Sequence, residues 1–178
     1  NKLQNSSGLT TLKSKLTFVD IVDASNFNEE RYLLRDNVEK KLYNQVLDIV
    51  EGTEFLQSLD ISYVPTVLLS GASGTGKTTF AKYIAYKLGY PLIYVSISKI
   101  VDSLLGKTSS NIAKIFDTVN EQKCVLCLDE LDAIGKKRDR ESNDVGEMNR
   151  VVISIMQELD LVTNNSIIVA TTNRPDIL

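Results

Sequence analysis

The sequence predicts a three-layer α/β fold with a mainly parallel sheet. Two observations carry that expectation: short runs that are apolar nearly throughout, and helical patterns standing between them in alternation. A strand covered on both faces is apolar at successive positions, and a crossover helix between two such strands makes them parallel. With 178 residues the chain is long enough for one unit of this kind with a sizeable core, and it carries no internal repeat or low-complexity segment.

Residues 1 to 16, "NKLQNSSGLTTLKSKL", are polar and weakly periodic and read as a tail or linker, leaving 17–178 as the folded unit. Between Arg31 and Leu59, Leu34, Val38, Leu42, Val46 and Ile49 recur at helical spacing and predict an amphipathic helix or helix pair. Strands are expected at 66–70 ("TVLLS"), 91–97 ("PLIYVSI"), 124–129 ("CVLCLD") and 166–172 ("SIIVATT"). Helical patterns at 77–88, 110–120 and 146–162 separate them.

Composition narrows the function classes. A chain that is 43% hydrophobic and 24% charged, with net charge −3, is globular and has no bulk attraction for nucleic acid. The one basic stretch, Lys136-Lys137-Arg138-Asp139-Arg140, is interrupted by an acid and reads as a solvated loop. No apolar run approaches the roughly 20 residues that span a bilayer, and the N-terminus lacks a signal peptide's apolar core, so a cytoplasmic protein with no membrane partner is expected. Cys124 and Cys127 form a C-x-x-C, but alternation along a strand sends them to opposite faces, which favours buried, inert thiols over a redox or metal pair. The chain has no histidine, which excludes histidine acid–base chemistry and an H-E-x-x-H zinc site on these residues.

The chemistry concentrates after the first of these strands. Gly71, Ala72, Ser73, Gly74, Thr75, Gly76, Lys77 and Thr78, followed by Thr79, match G-x-x-x-x-G-K-[ST] between a predicted strand and a predicted helix. Glycines let the backbone turn its N–H groups toward phosphate oxygens, and the helix N-terminus adds its positive dipole end. Lys77 supplies a point charge for the β- and γ-phosphates, and Thr78 offers a hydroxyl to Mg2+. Asp129 ends the third predicted strand, where parallel sheets present ligand-facing residues, and is placed to hold Mg2+. Glu130 beside it can take a proton from a water attacking the γ-phosphate, which is hydrolase chemistry. Asn173 follows the fourth strand and can orient that water, provided the sheet order brings it between the first and third strands.

Taken together, "GASGTGKT", "CVLCLDELDAIG" and "IIVATTNRPD", with 52 residues from Lys77 to Asp129 and 44 from Asp129 to Asn173, resemble the AAA family of P-loop ATPases, in particular bacterial stand-alone members. The resemblance covers about residues 60–178 and implies a P-loop NTPase core of AAA+ type with ATP and Mg2+ as cofactors. It makes Gly71–Thr79 Walker A, Asp129 and Glu130 the Walker B pair and Asn173 sensor 1, with Lys77, Glu130 and Asn173 acting in catalysis. It further implies a homo-oligomeric ring, taken as a hexamer, that remodels or translocates a macromolecule, protein rather than nucleic acid.

Departures from the family's pattern qualify this. The pore-loop position offers Leu104-Leu105-Gly106 in place of an aromatic residue, and Asp23 in "DIVD" replaces the glycine near the base pocket, so that Ile21 and Val22 are weak candidates for base contacts. The family's arginine fingers, fifth strand and helical lid lie beyond Leu178, so the chain is read as C-terminally incomplete, lacking the lid and slow on its own. Arg150 is a candidate contact to a neighbouring subunit, though a solvated helix-surface arginine is the simpler reading. Two further functions remain open, a nucleotide-gated loader or scaffold and a nucleic-acid remodeller. A kinase or GTPase is disfavoured because the chain shows no acceptor signature and no Asn-Lys-x-Asp base reader.

Overall fold

Each apolar run of the sequence forms a strand of one sheet. The computed structural model describes residues 12–14, 16, 19–32, 37–61, 63–103, 108–133, 142–163 and 166–177. The strands are β1 (Asp20–Val22), β2 (Thr66–Ser70), β3 (Leu92–Ser96), β4 (Val125–Asp129) and β5 (Ile167–Thr172). The helices are α1 (Asn37–Ser58), α2 (Lys77–Leu88), α3 (Ile97–Ser103), α4 (Thr108–Glu121) and α5 (Ser142–Asp160).

The strands lie in the order β1-β3-β4-β5-β2. β3, β4, β5 and β2 are mutually parallel, as crossover helices require, and β1 joins the outer side of β3 antiparallel. β5 therefore separates β2 from β4, the order that the reading of Asn173 needed. β1 and α3 are the elements that the sequence did not announce. A three-residue edge strand is too short to show periodicity, and α3 follows β3 without any turn residue between them.

Pleating divides the core into two layers. Ile93, Val95, Leu126, Leu128 and Ile168 face α4 and α5, which contribute Ile112, Phe116, Val151 and Ile155. Leu92, Val125, Cys127, Ile167 and Val169 face the opposite way, onto Ala81, Ile84 and Ala85 of α2 and Val46 of α1. Cys124 and Cys127 fall into different layers, as alternation predicts. Leu12 and Leu16, inside the stretch read as a tail, are buried in the first layer. An aromatic group of Phe27, Tyr32, Tyr43, Tyr83 and Tyr86 joins the segment after β1 and α1 to the outer side of α2. Lys87 sits over two of those rings and pairs with Glu29. Among the described residues no helix is long and apolar enough to cross a membrane.

Candidate active site

The parallel strands carry their reactive residues at the carboxyl end of the sheet, and the loop from β2 to α2 closes over it. Gly74 (φ +79) and Gly76 (φ +94) take left-handed backbone that L side chains rarely adopt, and Gly76 leads directly into the first turn of α2. The root of the loop is tied to β5 by the Gly71 N–H donating to the Thr172 carbonyl at 3.2 Å. Thr75 braces the loop internally, its hydroxyl donating to the Ala72 carbonyl at 2.9 Å.

Lys77 is folded back over this loop. Its ammonium donates to the carbonyls of Gly71 (2.8 Å) and Ala72 (2.9 Å) and to Asn173 Oδ1 (2.8 Å). Asn173 is held in turn by Asp132, whose Oδ1 accepts from the Asn173 N–H at 3.0 Å and from the Thr172 hydroxyl at 3.4 Å. Asp132 is fully buried, so the turn after β5 is fixed from beneath.

Asp129 accepts hydrogen bonds from three hydroxyls. Its Oδ2 accepts from the Thr78 hydroxyl at 3.1 Å and the Tyr94 hydroxyl at 2.6 Å, and its Oδ1 accepts a short bond from the Thr171 hydroxyl. The pleat explains the company: Tyr94, Asp129 and Thr171 all point from the sheet face that α2 covers. Desolvation, followed by the hydrogen bond to Asp129, pushes the Tyr94 phenol far above its ordinary value, so it acts as a donor.

Glu130, immediately after β4, has φ +62, a left-handed conformation uncommon for a residue with a side chain. Its N–H donates to the Thr171 hydroxyl at 3.2 Å, and its Oε2 accepts from the Ser98 hydroxyl at 2.5 Å. Ser98 and Ser96 share a further hydrogen bond of 2.9 Å.

Ser73, Gly74, Gly76, Lys77, Thr78, Thr79, Asp129, Glu130 and Asn173 enclose a cavity of about 250 Å3. Every residue expected in the site lines this cavity or, for Gly71, Ala72 and Thr75, forms the root and brace of its loop. The Thr78 hydroxyl and Asp129 carboxylate are hard oxygen donors facing one another, a donor set that fits Mg2+. A second cavity of about 670 Å3 adjoins at Thr78 and is bounded by Asp20, Asp23, Lys82 and Tyr94. Ile21 and Val22, the weak candidates for base contacts, also line this second cavity and at the same time pack, partly buried, against the two core layers.

Burial pushes the Cys124 thiol up to about 11 and the Cys127 thiol up to about 12, and the two are free. Arg150 is exposed on α5. Leu104-Leu105-Gly106 and the basic stretch 136–140 lie outside the described residues. The sequence reading missed Tyr94, Ser98, Thr171 and Asp132. Their signal was available as polar residues at the carboxyl ends of otherwise apolar strands, in "YVSIS", "DELD" and "ATTN".

The family described as "ATPase family associated with various cellular activities (AAA)" matches residues 67–178, more than half of the chain. Similar curated proteins include an uncharacterized AAA family ATPase, y4kL, of Sinorhizobium fredii, 38% identical over 60% of this chain and 32% of that protein. The ATP-dependent zinc metalloprotease FtsH of Caldicellulosiruptor bescii is 32% identical over 94% of this chain and 26% of its own length. The peroxisomal ATPase pex6 of Schizosaccharomyces pombe is 33% identical over 88% of this chain and 16% of its own. The chain thus spans a third or less of the length of these relatives. With the sheet order, the phosphate loop and the paired carboxylates in place, the family match means that the chain belongs to the AAA family of ATPases.

Proposed function

We propose that the chain binds ATP with Mg2+ and hydrolyses it, as the motor part of a ring-forming protein that remodels other proteins. The observation that carries the reading is Glu130, turned by its left-handed backbone into the cavity that Lys77, Asp129 and Asn173 also line. Gly74 and Gly76 shape a cradle for the phosphates, and Lys77 would exchange its two loop carbonyls for phosphate oxygens. Thr78 and Asp129 would hold Mg2+, which when bound draws charge from the phosphate oxygens. Asn173 orients the attacking water by its amide, and Glu130 receives the proton that this water loses.

The protein substrate is drawn from a relative whose name describes an ATP-dependent protease, and the ring from membership of the AAA family. The zinc chemistry in that name belongs to that protein, of which this chain matches 26% of the length. A neighbouring copy would supply the cation that completes the site, a contribution worth about 10³–10⁵ in rate. A cytoplasmic setting fits this reading.

The test is steady-state phosphate release and nucleotide binding by the full-length protein carrying Glu130→Gln. ATP binding should persist while turnover falls by about 10²–10⁴. Turnover equal to wild type would remove Glu130 from the chemistry. Nucleotide-dependent assembly without phosphate release, in the wild type itself, would favour the loader or scaffold.

A further inference from the structure

We infer that Tyr94 is a positioning residue for the magnesium-binding carboxylate, its hydroxyl fixing which oxygen of Asp129 is turned toward the cation. Tyr94 stands opposite Cys127 in the β3–β4 register, so Asp129 lies one pleat further along on the same sheet face. That diagonal brings the phenol oxygen to 2.6 Å from Asp129 Oδ2, shorter than the 3.1 Å bond from Thr78 to the same atom. A carboxylate oxygen accepts about two hydrogen bonds, so these two donors fill Oδ2. Oδ1 takes only the Thr171 hydroxyl among the contacts described, which leaves it the capacity to serve a cation or its bound water.

Three hydroxyls from three elements, α2, β3 and β5, therefore clamp one carboxylate in one rotamer. Thr78 belongs to the phosphate loop and Thr171 also serves the Glu130 N–H, so each has a second duty. Tyr94 has its hydroxyl on Asp129 and also lines the adjoining cavity with Asp20 and Lys82. Without that hydroxyl each oxygen keeps a single partner, Thr78 on Oδ2 and Thr171 on Oδ1, and Oδ2 regains the capacity to accept another donor or a cation.

This inference rests on the proposed role of Thr78 and Asp129 in holding Mg2+, and its experiment separates the two. Binding of a fluorescent ADP to the full-length protein is titrated in EDTA and across a MgCl2 series, for the wild type and for Tyr94→Phe, which keeps the ring and its packing. The Mg2+ concentration giving half of the affinity gain should rise about tenfold in Tyr94→Phe, the size expected for one hydrogen bond to a charged group. Affinity in EDTA should stay within about twofold of wild type. An unchanged Mg2+ midpoint, or an equal loss of affinity with and without Mg2+, would overturn the role of Tyr94. Wild-type affinity indifferent to Mg2+ would instead overturn the metal reading of Thr78 and Asp129, and the inference with it.

Discussion

The ammonium of Lys77 donates to Asn173 Oδ1 at 2.8 Å, joining the loop after β2 to the turn after β5. In this arrangement the lysine charge is satisfied by the protein itself, through two backbone carbonyls and one side-chain amide. A phosphate must displace at least part of that set, and release of Lys77 frees the Asn173 amide oxygen for another donor. Occupancy of the loop and orientation of the Asn173 amide are therefore coupled through one atom.

Asn173→Ala should uncouple them. Nucleotide affinity is expected to stay within about threefold of wild type, because the two loop carbonyls still hold Lys77. Turnover should fall by about tenfold or more, the scale of one lost charge-assisted hydrogen bond. Lys77→Ala should instead abolish measurable binding. Equilibrium binding and phosphate release on the same preparations check both.

Ser98→Ala tests the restraint on Glu130. The 2.5 Å bond from Ser98 holds the Glu130 carboxylate toward α3 and occupies one of the oxygens that would receive the proton. Removing the hydroxyl should raise basal phosphate release by a few-fold, up to about tenfold, with nucleotide affinity unchanged. A fall in turnover would mean that Ser98 holds Glu130 in its working position.

The two buried thiols predict a decline in stability at alkaline pH. At low pH both the folded and the unfolded chain keep them protonated. As the pH rises past the ordinary value of 9.0 the unfolded chain ionises first, because the folded values are raised to about 11 and about 12. The folded state then binds more protons, so unfolding free energy falls by about 1.4 kcal/mol per pH unit for each thiol until the folded values are reached. Urea midpoints at pH 8, 9 and 10 for the wild type and for Cys124→Ala/Cys127→Ala measure it. The double variant should lose less stability over that interval.

Ile84→Ala tests how the site is held from below. Ile84 is fully buried where α2 meets the sheet, and the loop that enters this helix takes its position from that contact. Truncation should cost about 2–5 kcal/mol by chemical denaturation. Nucleotide affinity should fall as well if the packing of α2 sets the loop.

The sequence made the sheet legible because β3, β4 and β5 are buried at nearly every position and read as unbroken apolar runs, whereas β2, equally apolar at 67–69, is the edge strand and leaves Leu68 exposed. The loop from Gly71 to Thr78 and the pair Asp129–Glu130 were legible because their chemistry is local and dictates residue type at fixed spacing. Tyr94, Ser98 and Asp132 were not, because each acts through a partner 35, 32 or 41 residues away, and only the strand register discloses who that partner is. β1 escaped for a different reason: a three-residue edge strand is specified by its neighbour β3 rather than by its own pattern. Leu12 and Leu16 escaped because two apolar residues among polar neighbours carry no period, although both are buried.

Glu130 occupies left-handed backbone at φ +62, where glycine or asparagine would sit more comfortably by about 1–2 kcal/mol. Selection for heat tolerance alone would therefore push this position away from glutamate, and every step toward a calmer turn would remove the carboxylate proposed as the base. A stabilised variant of this protein found without an activity screen should be inspected here first. The carboxylate on which the proposed hydrolysis depends is also one that folding alone would readily discard.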